Sequence, residues 1–170
     1  MKLEEIQKNS YPFYFVGGQN NGYVFVTDSA ISYEIKFKSS DYLFENRLDF
    51  PVSAYEFVIE IALNPTNKKA VTDSKMPFTI ASIFMDFFQK NKEQVFVYIC
   101  DSSDAKQEAR RRKFNQWVEL FKGGKFIKVD TKITESQEIT YYNSIIIRAD
   151  NPRISVIVGA FIDIANEYQK

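Results

Sequence analysis

The chain of 170 residues carries 22 Lys and Arg against 22 Asp and Glu, with one Cys and no His. Without His there is no Ser-His-Asp or Cys-His catalysis, no imidazole metal ligand and no proton shuttle tuned to neutral pH. With Cys100 alone there is no internal disulfide, and no structural zinc site built from about four Cys or His ligands.

The length fits a single domain, 1–170, large enough to bury a core. Apolar residues make up 45 % and charged ones 26 %, close to a soluble globular average. The 16 Phe and 10 Tyr are unusual; they bury much area per residue, and each buried Tyr hydroxyl needs a partner. Balanced charge argues against a chain that coats nucleic acid along its whole length. Met1 to Ile6 carries two acids and no apolar run, unlike a signal peptide. No apolar stretch reaches the ~20 residues of a membrane span. Asn64-Pro65-Thr66 has the Pro that blocks glycosylation. A lone Cys fits a reducing compartment, so a cytoplasmic location is expected.

Residues 11 to 16 read as a strand, joined by the loop 17–22 to a hairpin over 22–37. There Tyr23, Phe25 and Thr27 alternate with Val24 and Val26, and Ile31, Tyr33, Ile35 and Phe37 share one face. Over 54–63, Tyr55, Phe57, Ile59, Ile61 and Leu63 fall on one side, with Glu56 and Glu60 on the other. This predicts a meander with one buried and one polar face. The period then changes. Pro77 suits a first helical turn, and Ile80, Ile83, Phe84, Phe87 and Phe88 form a helical stripe. The apolar run 95–100 predicts a central strand covered on both faces. A helix over 104–121 stops at Gly123-Gly124, and strands near 126–130 and 141–149 follow.

Ile154 to Val158 has strand propensity. However, Asn151-Pro152 is a helix start signal, and Ile154, Ile157, Val158, Phe161, Ile162 and Ala165 keep helical spacing. The reading is a helix, with Gly159 as its weak point. The whole predicts an α+β fold: an N-terminal antiparallel meander continued into one mixed sheet, packed by about three helices.

The segment from Cys100 to Phe114 links a buried strand to a helix, where sheets with helices on their faces tend to place ligands. At about 100° per residue, Phe114, Trp117, Val118 and Phe121 define the buried stripe. Extended backwards, that stripe takes in Gln107 and Arg110, with Arg111 at its margin and Arg112 and Lys113 pointing outward. Arg110 therefore either pairs with a buried acceptor, such as Asp101, or grips an anionic ligand.

Asp101, Ser102, Ser103 and Asp104 are capping residues by type. Together with Gln107 and Arg110 they form the candidate ligand-binding set. An alternative gathers Asp101, Asp104 and Glu108 around Mg²⁺, with Asp73 the only further acid to consider. Residues 104 to 125 hold seven basic and three acidic residues, so a nucleic-acid face through Arg111, Arg112 and Lys113 is a third possibility.

Other strings fail. Ser103-x-x-Lys106 lacks the partner motifs of a Ser-Lys nucleophile. Cys100 is flanked by Asp101, which opposes thiolate formation. Gly17-x4-Gly22 has Tyr23 where a phosphate loop needs Lys.

Three strings carry a resemblance: Tyr23-x-Phe25-x-Thr27 with Tyr33-x-Ile35-x-Phe37; Cys100-Asp101-Ser102-x-Asp104-x-x-Gln107-x-x-Arg110-x-x-Lys113-Phe114-x-x-Trp117; and Asn151-Pro152. On these the chain resembles a family of small bacterial proteins of unknown function, over about residues 20 to 165. The resemblance implies a single intracellular bacterial domain and gives no residue a role.

The expectation is a non-catalytic binding or interaction module. Its site would lie at the 100–113 junction, for an unknown protein or a small anionic ligand, with no cofactor and no membrane partner. A Mg²⁺-dependent phosphoryl-transfer enzyme or nuclease is the alternative, and nucleic-acid binding the weaker one.

Overall fold

The computed structural model describes residues 3–70, 73–90, 92–100, 106–134 and 140–167. Seven strands are β1 (Phe13–Gly17), β2 (Gly22–Val26), β3 (Ser32–Ser39), β4 (Ala54–Leu63), β5 (Val95–Cys100), β6 (Phe126–Thr134) and β7 (Thr140–Arg148). The helices are α1 (Leu3–Lys8), α2 (Met76–Lys90), α3 (Gln107–Lys122) and α4 (Ile154–Glu167), with a 3₁₀ turn at Asp41–Leu43. One mixed sheet runs in the order β1-β2-β3-β4-β5-β7-β6. β1 to β3 form an antiparallel meander, β4 runs parallel to β5, and β7 pairs antiparallel with both β5 and β6. The α+β class read from the sequence is the class observed.

The chain divides into two compact units. The first takes 1–38, 57–90 and 116–123; the second takes 39–56, 91–115 and 124–170.

In the first unit the β2–β3 hairpin closes on Thr27. Its N–H donates to the Ile31 carbonyl at 3.0 Å, and its hydroxyl bonds the same residue. Tyr23, Phe25, Ile35 and Phe37 are buried, as the alternation requires. Phe37 stacks on Phe87 of α2 at 4.1 Å, and Phe84 packs against Phe57 and Phe121 at 4.8 and 4.9 Å. Such ring pairs add about 0.5–1.5 kcal/mol each beyond their buried area, so part of the Phe-rich composition builds the aromatic core of this unit. Asp73 starts α2 by accepting the Lys75 and Met76 N–H groups, and it also takes the Tyr11 hydroxyl at 3.0 Å. That occupation makes Asp73 a helix cap. Tyr23 donates to Asp86 at 2.6 Å and accepts from Lys90 at 2.8 Å, which satisfies its buried hydroxyl.

β4 corrects the sequence reading. Ala54 and Phe57 are buried, but Ile61 and Leu63 are 48 % and 61 % exposed. Alternation places these side chains on one face; it does not supply cover for the strand's far end.

In the second unit, β5 has two different faces. Val95 and Val97 join Ile145, Ile147, Ile157 and Phe161 in a buried cluster under α4, while Tyr98 faces α3. α4 begins as the Asn151-Pro152 signal requires: the Asn151 side-chain carbonyl accepts the Arg153 N–H at 2.9 Å. Its buried residues are Ile157, Ala160, Phe161 and Ala165, whereas Ile162, placed on the apolar stripe by spacing, is 39 % exposed.

Candidate binding site at the strand-helix junction

α3 meets β5 through a stack in which the Tyr98 and Phe114 ring centroids lie 3.8 Å apart. Cys100, buried, donates its Sγ–H to the Gln107 backbone carbonyl at 3.2 Å. The thiol is thus used structurally. Burial is the chief cause that pushes the Tyr98 phenol well above its ordinary range; Cys100 beside it acts in the same direction, and the Arg110 charge opposes both. The Arg110 charge is thus felt at the Tyr98 phenol.

The helical phase read from sequence holds. Gln107 and Arg110 are partly buried, Phe114 is buried, and Arg112 and Lys113 are exposed. The Gln107 side-chain carbonyl oxygen is sealed from solvent and has no hydrogen-bond partner among the described residues.

Arg111, at the margin, is tied locally. Its guanidinium bonds Glu108 at 3.0 Å and lies 4.7 Å from the centre of the Tyr142 ring. The Tyr142 hydroxyl and Arg111 together hold the Glu108 carboxyl below its ordinary value. Glu108, the described member of the Mg²⁺ trio, is thus engaged by two donors. Asp101, Ser102, Ser103 and Asp104 lie outside the described residues. Among the described residues, no group of three or more His, Cys, Asp or Glu is placed to hold a metal ion.

On β7 and β6, on the same sheet face as Tyr98, Ser144 donates to Asp130 at 2.6 Å, and Lys128 bonds the same carboxylate. Sequence reasoning missed this group, because Ser144 meets Lys128 and Asp130 only through β6–β7 register.

A second feature was also missed. On the opposite sheet face, Val97 and Ile99 of β5, Asn143 of β7, Thr131 and Ile133 of β6, and Phe161 of α4 line a cavity of about 290 Å³. Register explains the separation: Ile99 pairs with Asn143 and Asn143 with Thr131, whereas Tyr98 pairs with Ser144 and Ser144 with Asp130. Adjacent residues on a strand point to opposite faces.

Fold and site together define an α+β protein with a mixed sheet, whose β5–α3 junction carries a buried Gln107 amide oxygen and a partly buried Arg110. Residues 72–163 match DUF6169, a family of unknown function, and the chain belongs to that family. The matched stretch holds α2, the junction and the start of α4, while the hairpin residues Tyr23 to Phe37 lie outside it. No curated protein and no solved structure matches the chain. Among the described residues, no helix is long and apolar enough to cross a membrane.

Proposed function

We propose that the protein is a non-catalytic binding module that takes a small anionic ligand at the β5–α3 junction, with Arg110 and Gln107 as the recognition groups. The observation that carries this reading is the Gln107 carbonyl oxygen, buried and without a partner among the described residues. A buried acceptor left unsatisfied costs about 1–3 kcal/mol, so such a group asks for a donor. Arg110, one turn further along the same face, offers a charged planar donor suited to carboxylate or phosphate. A ligand with an anionic oxygen and an adjacent hydroxyl satisfies both.

Binding is favoured over catalysis because an amide and a guanidinium are neither nucleophiles nor proton-transfer groups near neutral pH. The Mg²⁺ alternative needs Glu108, which Tyr142 and Arg111 already engage. The nucleic-acid alternative loses Arg111 to the same pairing and keeps Arg112 and Lys113. A cytoplasmic location is part of the proposal, supported by Cys100 as a buried free thiol.

Hydrogen phosphate and glycolate each carry an anionic oxygen and a hydroxyl. Titrated at constant ionic strength, either one should raise the melting temperature, because a ligand that binds only the native state stabilises it. Gln107→Leu should reduce the rise. No rise with either probe, or an undiminished rise in Gln107→Leu, overturns the assignment.

A further inference from the structure

We infer that the cavity under α4 is a second binding site, for an uncharged and mainly apolar small molecule with one hydroxyl. This inference is independent of the junction, which lies on the other sheet face.

Size comes first. A dry apolar cavity of about 150 Å³ holds a benzene-sized molecule, and this one measures about 290 Å³. That is room for a substituted ring or two fused rings. Charge comes next. The wall is Val97, Ile99, Ile133 and Phe161 with Tyr, Thr and Asn neighbours, and none of the described lining residues is charged. Burying a charged ligand there would leave it unpaired, at a cost of several kcal/mol. The wall therefore selects neutral ligands.

One polar point on the wall is Thr131, which lines the cavity beside Asn143 and whose buried Oγ1 finds no hydrogen-bond partner among the described residues. A hydroxyl both donates and accepts, so one ligand hydroxyl can satisfy it. Among the described residues the wall holds no carboxylate, Lys, Cys or Ser. Phe161 and Ala165 of α4, 5 % and 4 % exposed, are buried lining residues, so a larger side chain at 165 takes up cavity volume.

The test uses the isosteric probes p-cresol and p-xylene, titrated into the full chain while methyl NMR signals of Val97, Ile99 and Ile133 are followed. Both should shift those signals and saturate. Thr131→Val keeps the shape and removes the hydroxyl. It should cut p-cresol affinity relative to p-xylene roughly two- to tenfold, the ratio equivalent to one net hydrogen bond. Ala165→Leu fills the cavity and should weaken both probes. If neither probe shifts these methyls at about 10 mM p-cresol and at saturating p-xylene, the cavity is not a site. If Ala165→Leu folds and binds unchanged, the probes sit elsewhere and the inference fails. An unchanged cresol-to-xylene ratio in Thr131→Val overturns the ligand class, and this variant keeps the test decisive should Ala165→Leu not fold.

Discussion

The Tyr98 ring lies almost flat on Phe114, with centroids 3.8 Å apart and planes 12° from parallel. This stack sets the rotation of α3 over β5. Gln107 and Arg110 precede Phe114 by seven and four residues, which places them on the same helical face. The position of the proposed anion site thus depends on a contact that involves none of its recognition groups.

Phe114→Ala should lower stability by about 3–5 kcal/mol, the usual cost of emptying a buried Phe site. Urea denaturation checks it. A loss below about 1 kcal/mol would mean that Tyr98 and its neighbours refill the space and that the stack does not fix the helix.

A second expectation concerns alkaline pH. Burial, with the Asp86 carboxylate beside it, pushes the Tyr23 phenol far above its ordinary value of 10.0, and burial does the same at Tyr98. Below pH 10 both folded and unfolded chains keep these protons. Above it the unfolded chain releases them while the folded one does not, so the native state binds more protons and stability falls as pH rises. Urea midpoints should therefore drop from about pH 10 upward. Tyr23→Phe should make the drop shallower, at the expense of about 0.5–1.5 kcal/mol near neutral pH for the lost hydrogen bond. An equal alkaline slope in the variant would contradict this account.

In α4 two changes should act in opposite directions. A Cβ added at Gly159 meets nothing within 4 Å, and the residue has no positive φ. Gly159→Ala should therefore stabilise by roughly 0.5–1 kcal/mol through helix propensity. Asn151→Ala removes the acceptor of the Arg153 N–H and should cost about 0.5–2 kcal/mol. Thermal melts of the two variants check both signs.

What the sequence made legible follows from how local each signal is. The hairpin was readable because Thr27 and Ile31 bond across four residues. α4 was readable because the Asn151 cap and the Ile157–Phe161 spacing agree where strand propensity does not. The inward turn of Gln107 and Arg110 followed from the Phe114–Trp117 stripe. The far end of β4 misled, since period reports a shared face and Ile61 and Leu63 lie where nothing described covers them. α1 was missed because six residues form too short a helix to stand alone; it is placed by Ile6, 2 % exposed. The cavity was invisible because β5, β6, β7, α4 and the 3₁₀ turn each give it two or three side chains, and no single stretch of sequence shows the set.

The central claim is that Arg110, and not the basic run as a whole, receives an anion at the junction. Its most direct measurement compares Arg110→Met with Arg112→Met, following the rise in melting temperature as hydrogen phosphate is added at constant ionic strength. The account predicts that Arg110→Met abolishes the rise and that Arg112→Met, an exposed position, keeps it. Equal rises in both variants, or equal losses, would contradict it.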